Sequence, residues 1–149
     1  MNILIKWIKA PKAKKSLSCE AIIFLGLARI ALLFFPFRIL ARHLGQQNVE
    51  LRSTNIHDTQ SVRSVRWAIL KTSSFVPWRS DCLPQAFAAV FMLRRRHIPY
   101  QLNLGVLKNE NNTLDAHAWV ITSNQVVTGD VDKNYPVISS FCWDSRSAK

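Results

Sequence analysis

The chain has 149 residues, of which 48% are hydrophobic and 19% charged, and its formal net charge is +11. This length supports one domain or one domain plus an appended segment, and the apolar content argues against wholesale disorder. The three cysteines are odd in number and widely spaced, and no CxxC pair occurs. We therefore predict free thiols in a reducing cytoplasm rather than a disulfide framework or a zinc site.

The positive charge favours acidic partners but is distributed along the chain instead of forming one patch. Basic residues cluster at 6–15 and 94–96 and are scattered between these clusters. No helix-turn-helix, RNP or zinc-finger signature accompanies them, so we expect no specific nucleic-acid binding.

Residues 1–45 form a basic and apolar segment whose most apolar stretch covers residues 17–41. Arg29 lies in the middle of that stretch, and a central arginine costs about 2.5–3.5 kcal/mol on membrane-insertion scales. We therefore predict a buried or partner-facing helix that bends at Pro36 and ends near Gly45. The flanking basic residues leave peripheral membrane contact through residues 17–41 open as an alternative.

A polar stretch at residues 45–57 is typical of a linker, and Asp58 after it can cap a helix that extends to about Thr72. Within this helix Val62, Val65 and Ile69 share one face, which indicates a single buried side.

A second helix is predicted from Cys82 to about His97, with Asp81 or Ser80 as its N-cap. Pro84 is tolerated in the first turn because no intrahelical hydrogen bond is lost there. The arginines at 94–96 suit the negative end of the helix dipole. We predict a core stripe on this helix, made of Ala86, Phe87, Val90 and Leu93.

The hydrophobic period then changes to two, which predicts strands over 100–106, 116–122 and 125–130. Residues 131–149 are weakly patterned, and we assign no element there, although Cys142 and Trp143 are candidates for packing.

Cys82 is a candidate nucleophile because it begins a helix. The free N–H groups and the positive dipole end favour a thiolate, and such sites lower a thiol pKa from about 8.5 to roughly 3.5–7.5. The same N–H groups can hold a developing oxyanion. The neighbouring Asp81 opposes the thiolate, and the alternative role is that of a small buried hydrophobic residue.

His117 lies in the second strand, and a two-residue loop at Ser123–Asn124 would place Asp130 opposite it. Facing residues have Cβ atoms about 4.5–5.5 Å apart, which allows a carboxylate to bond an imidazole. Asp130 is therefore the preferred orienting acid, with Asp132 second and Asp115 third. A one-residue change in the register would remove this argument.

These three residues suggest the nucleophile, base and orienting acid of a thiol enzyme. Cys82 attacks a carbonyl, His117 keeps the thiol ionised and protonates the leaving amine, and Asp130 fixes the imidazole tautomer. The backbone N–H of Cys82 is one oxyanion donor, with Trp78 or Gln85 as weaker candidates for the second. The chain has four histidines but no HExxH motif and no paired cysteines. We therefore expect neither a metal site nor a cofactor.

The segments CLPQA (82–86) and AHAWV (116–120), with the arginine-rich helix end and IPYQL (98–102), resemble the transglutaminase-like proteins of lasso peptide biosynthesis. The upstream FPFRILARHLG (35–45) is similar to the N-terminal region of the same family. The match is best to the stand-alone leader peptidase half of a split B protein. His97, where that family often has glycine, and the short motif around Asp130 are the two departures.

The resemblance implies an α+β fold with a transglutaminase-like or papain-like core, in which a nucleophile helix packs on a small antiparallel sheet. It implies a catalytic domain at 46–149 and Cys82, His117 and Asp130 as the triad. It also implies a cysteine peptidase that removes the leader from a ribosomally made precursor. The expected partners are that precursor, a small leader-binding protein and an asparagine synthetase-like cyclase.

Two other functions remain open. One is a different acyl transferase or amide hydrolase on the same fold, and the other is a non-enzymatic, basic, membrane-associated binding protein. For the leader peptidase, the apolar segment at 1–45 is expected to serve as a docking surface.

Overall fold

The structure is a computed structural model that describes residues 11–51, 58–122, 125–130 and 134–146. The helices of these residues are α1 (Lys12–Phe34), α2 (Phe37–Ala41), α3 (Thr59–Ser73) and α4 (Cys82–Arg94). The strands are β1 (Gln46–Gln47), β2 (Tyr100–Lys108), β3 (Leu114–Ile121), β4 (Val126–Thr128) and β5 (Val137–Trp143).

The strands form one antiparallel sheet in the order β1-β5-β2-β3-β4. Helix α4 packs on β3, and α1 packs on both α3 and α4. Helices therefore cover one side of an antiparallel sheet, which confirms the predicted α+β class with an apolar N-terminal helix.

The N-terminal segment folds as predicted, with a break at Pro36. Phe35 leaves the helical conformation at φ −119° and ψ 137°, and Pro36 then stands at the N-cap of α2. The chain turns at Gly45 with φ +130°, where an added Cβ would collide with the carbonyl of Cys142. A residue without a side chain is required at this turn.

Helix α3 begins and ends close to the predicted residues. The Asp58 carboxylate accepts the Ser61 N–H at 2.9 Å, so the predicted cap is confirmed. Val62, Val65 and Ile69 are fully buried, as their spacing predicts.

Helix α4 is buried on all sides, so the predicted core stripe is incomplete. Ala88, Ala89 and Met92 are as inaccessible as the predicted stripe residues. A helix with no polar face needs packing partners all round, and α1, α3 and the sheet supply them.

Helix α4 ends at Arg94, whereas the sequence predicted an end near His97. The Ile98 N–H bonds the Leu93 carbonyl and the His97 N–H bonds the Arg94 carbonyl, both at 3.0 Å. This pair of bonds is a Schellman motif, and it places His97 in the left-handed region at φ +54°.

The strands β2 and β3 form where the sequence predicts them, but the alternation predicted for β2 fails after Leu102, because Asn103 is buried and Leu104 is only half-buried. β4 is shorter than the predicted 125–130. Two strands were missed. β5 lies in the weakly patterned tail yet occupies an interior position of the sheet, and β1 lies in the stretch interpreted as a linker.

We predict that His97→Gly stabilises the protein by about 1 kcal/mol, because glycine adopts positive φ without the Cβ strain that histidine carries. Equilibrium urea denaturation of both proteins measures this difference. His97→Ala is the control, since it removes the imidazole but keeps the Cβ, and we expect no gain from it. Equal gains in the two variants would contradict the strain argument.

Candidate active site

Cys82 is the first residue of α4 and is half-buried against the hydrophobic core. Pro84 in the first turn is buried and has no N–H to satisfy. Because the rest of the helix is enclosed, the position of the thiol is fixed by core packing rather than by a surface loop.

Asp81 occupies the N-cap position, but its side chain makes no capping hydrogen bond, so the predicted side-chain cap is wrong. Its carboxylate instead accepts the Arg79 Nε–H at 2.9 Å. This pairing offsets the negative charge that would oppose a thiolate at Cys82. It also leaves the N–H groups at the start of α4 without a competing carboxylate.

The two faces of β3 have different roles. Ala118 and Val120 are buried on the face that packs against α4, whereas His117 and Trp119 alternate with them and are half-buried on the other face. The rings of His117 and Trp119 stack with centroids 6.0 Å apart. The period of two therefore predicted correctly which residues share the face of His117.

The predicted register between β3 and β4 holds at first and then fails. The Thr122 N–H bonds the Gln125 carbonyl at 3.0 Å and Ile121 pairs with Val126, but Val120 pairs with Thr128. One extra residue on β4 therefore shifts the pairing, which is the effect of a β-bulge. The expectation that His117 faces Asp130 is wrong for this reason; the loop residues Ser123 and Asn124 lie outside the described residues.

The shift brings a backbone carbonyl to the imidazole. The Nε2 atom of His117 lies 2.8 Å from the Gly129 carbonyl oxygen. A carbonyl only accepts hydrogen bonds, so Nε2 carries a proton and Nδ1 of the neutral ring is the proton acceptor. Gly129 has φ +77°, and an added Cβ would collide with the Ala118 carbonyl.

Asp130 follows Gly129 and its carboxylate pairs with Arg66 at 3.3 Å. Arg66 is anchored in turn by the Val126 carbonyl at 2.9 Å. The side chain of Asp130 is 65% exposed, so this ion pair adds little to stability. Its role as the third triad residue stays a prediction, and Asp132 lies outside the described residues.

Tyr135 is a site residue that the sequence reasoning missed. Its ring lies 5.0 Å from that of His117, and its hydroxyl donates to the Asp115 carboxylate at 2.7 Å. The hydrogen bond to Asp115, burial and the negative charge of the Asp115 carboxylate raise the pKa of Tyr135. Tyr135 thus lies between His117 and Asp115, and the weak pattern of residues 131–149 carried no signal for it.

Gly105 makes this arrangement possible. It pairs with His117 across β2 and β3, and a Cβ there would meet Tyr135 Cβ at 2.7 Å and Trp119 Cζ3 at 2.9 Å. The Trp119 ring and the Cβ of Tyr135 therefore both lie close to the glycine backbone. A glycine inside a strand often marks such a close approach.

A cavity of about 180 Å³ opens beside the imidazole. Its lining includes His117, Gly129, Asp130 and Tyr135. A larger cavity of about 680 Å³ lies at the other end of the sheet near Arg42, Arg94 and Trp143. We assign the site to the smaller cavity because the candidate base and acid line it together.

The structure therefore brings His117 and Asp130 to one cavity, whereas Cys82 is not among the residues that line it. Among the described residues, no hydrogen bond joins His117 to Cys82 or to Asp130. Catalytic hydrogen bonds are often long in unliganded enzymes and shorten when substrate binds.

The weaker oxyanion candidates are partly engaged elsewhere. The Gln85 amide donates to the Ser80 carbonyl at 2.7 Å, which uses one of its two hydrogens. The Trp78 ring lies against α1, within 3.5 Å of the position that a Cβ of Gly26 would take. The backbone N–H of Cys82 is the better placed donor because it belongs to the helix start itself.

Comparison with known proteins gives one finding. A family model described as the transglutaminase-like superfamily matches residues 31–140, which is most of the chain and includes Cys82, His117 and Asp130. No curated protein and no solved structure matches the chain.

We predict that Gly105→Ala destabilises the protein by about 1–3 kcal/mol, because the added methyl displaces Trp119 and Tyr135 from His117. Gly26→Ala is the matched control, since a Cβ there makes ordinary contact with Trp78 and alanine favours the helix. Urea denaturation gives the two stabilities. A neutral Gly105→Ala would show that the rings are not held as described.

Proposed function

The chain belongs to the transglutaminase-like superfamily, and we propose that it is a cysteine peptidase that removes the leader from a ribosomally made lasso peptide precursor. The superfamily is consistent with a cysteine peptidase or an acyl-transferase-like enzyme. The choice of substrate rests on the resemblance of residues 82–86, 98–102 and 116–120 to lasso leader peptidases.

The observation that carries the catalytic part is the hydrogen bond between His117 Nε2 and the Gly129 carbonyl. With Nε2 tied to the Gly129 carbonyl, Nδ1 is the ring nitrogen that can take the thiol proton. Cys82 stands at a helix start whose N–H groups are not capped by a carboxylate. A base and a stabilised thiolate are the two requirements of nucleophilic thiol catalysis.

The proposed reaction has two halves. His117 accepts the thiol proton, the Cys82 sulfur bonds to the carbonyl carbon of the scissile peptide, and the oxyanion is held by the N–H groups at the start of α4. His117 returns the proton to the leaving amine as the C–N bond breaks. Water then adds to the thioester with His117 as base, which releases the leader and regenerates the thiol.

In this proposal Asp130 is the residue that stabilises the imidazolium formed during each half-reaction. Its carboxylate lines the same cavity as His117, although Arg66 holds it in the unliganded protein. If the ion pair with Arg66 opened, the Asp130 carboxylate would be free to move towards the His117 ring. Cys82, His117 and Asp130 all lie within residues 46–149. Helices α1 and α2 of the N-terminal segment pack on that part of the chain.

We propose the precursor, a small leader-binding protein and an asparagine synthetase-like cyclase as partners, and a reducing cytoplasm as the compartment. The free thiols of Cys19, Cys82 and Cys142 agree with such a compartment. A different acyl transferase or amide hydrolase would use the same groups on another substrate.

We predict that iodoacetamide modifies Cys82 faster than Cys19 near neutral pH. Cys19 is exposed on α1 and Cys82 is half-buried, so exposure alone would give the opposite order. Peptide mapping by mass spectrometry measures the two rates within one sample. His117→Ala should slow Cys82 and leave Cys19 unchanged; faster labelling of Cys19 in the wild type would favour the non-enzymatic binding protein.

A second prediction concerns the substrate. The protein, with a candidate precursor and its leader-binding partner, should cleave one bond in the precursor, while Cys82→Ala should not. Asp130→Asn should cleave roughly 100-fold more slowly if the carboxylate assists the base. Mass spectrometry of the products gives site and rate.

Cleavage by Cys82→Ala would move the nucleophile elsewhere. Rapid labelling of Cys82 without cleavage of any precursor would keep the thiol enzyme but reject the lasso substrate. An unchanged rate in Asp130→Asn would exclude Asp130 as the orienting acid and leave Asp132 and Asp115 as the remaining carboxylate candidates.

A further inference from the structure

Helix α1 has a continuous apolar strip on the face that points away from the protein. Ile23, Leu27, Ile30 and Phe34 follow the i, i+4, i+7, i+11 spacing of one helix face, and each is more than 50% exposed. We call these four residues the outer strip. Phe35 and Ile39 extend the exposed apolar surface beyond the end of α1.

The opposite face of α1 is occupied by the protein itself. Ala21, Leu25 and Ala28 are buried where α1 packs on α3 and α4. The helix is long and apolar enough to cross a membrane, with 22% of its most apolar window buried. To span a membrane, α1 would have to leave this core. While α1 stays packed, only its outer face can contact another surface.

The charges around α1 are almost all positive. Residues 1–49 contain eight lysines and arginines and one acidic residue, Glu20. Glu20 is 15% exposed and is neutralised by α4, with Arg96 at 2.7 Å and Arg95 at 3.5 Å. The bond to Arg96 lowers the pKa of Glu20, so it stays ionised in that pairing. The segment therefore presents no unpaired acidic group within its described residues.

Basic side chains stand at both ends of the outer strip. Lys12 is exposed in the first turn of α1, and Arg38 and Arg42 are exposed in and after α2. An apolar strip bounded by cations is the pattern of helices that lie in the interface of a membrane containing anionic lipids.

We propose that the outer strip lies in the headgroup region of a membrane with anionic lipids, with α1 parallel to the surface and the basic residues against the lipid phosphates. A lipid surface accepts a long convex strip without a matching groove, and its negative charge complements that of the segment. Ile23, Leu27 and Ile30 precede residue 31, so they lie outside the family match and the catalytic residues do not depend on them.

Vesicle co-sedimentation of the full chain tests this proposal. We expect binding to phosphatidylcholine vesicles that contain phosphatidylglycerol, clearly weaker binding to phosphatidylcholine alone, and loss of binding at high salt. Leu27→Glu with Ile30→Glu should weaken the binding by about tenfold or more, because two charges enter the apolar strip.

The matched control is Val137→Glu with Ile138→Glu on β5. These residues are 53% and 66% exposed, against 54% and 53% for Leu27 and Ile30, so the two variants add the same charge to equally exposed apolar sites. The control should bind as the wild type does. Circular dichroism and Cys82 labelling establish that both variants are folded.

Three results would overturn the proposal. The first is no sedimentation with either vesicle, and the second is equal loss of binding in the two variants. The third is a stable dimer in solution that Leu27→Glu with Ile30→Glu dissociates, since a second copy would then cover the strip. None of these results bears on peptide cleavage, which is measured without vesicles.

Discussion

The burial of α4 on all sides beyond its first turn is the constraint on which the rest of the structure depends. Its side chains are apolar on every side, so the helix needs partners all round. Helices α1 and α3 cover one side, and the sheet covers the other. Phe91 stacks on Phe24 of α1 at 5.9 Å, and Phe87 meets Phe37 of α2 at 6.3 Å. The N-terminal segment is thus part of the core that holds Cys82 in place.

The tautomer of His117, on which the proposed chemistry rests, depends on a local irregularity rather than on a regular strand pair. The bulge between β3 and β4 moves Gly129 next to His117 and turns Asp130 towards Arg66. The imidazole consequently has a fixed tautomer before any carboxylate reaches it. The backbone acceptor is not removed by substitution of a side chain. The position of the Asp130 carboxylate, in contrast, depends on its ion pair with Arg66 and changes when Arg66 is displaced.

The sequence predicted those elements whose signals are local. The cap and stripe of α3, the start of α4 at Cys82 and the alternation of β3 each depend on residues within one or two turns or one strand. β5 escaped because its residues Val137 and Ile138 are exposed and its neighbours Phe141 and Cys142 are buried in succession, which gives no period of two. The register at Asp130 failed because one inserted residue on β4 changes every later pair without a compositional signal. Tyr135 could not be predicted because its contact with His117 is a consequence of that tertiary packing.

The two faces of α1 connect these results. The inner face uses small residues, Ala21 and Ala28, which allow a close approach to α3 and α4, whereas the outer face uses the large side chains of the outer strip. A helix of a soluble core needs only the inner face, and large apolar residues on the outer face lower solubility unless something covers them. Their presence is explained if α1 serves both purposes. In that arrangement the helix that braces the Cys82 helix also sets the orientation of the cleavage site relative to a membrane surface, so location and catalysis are linked through one element without any conformational change.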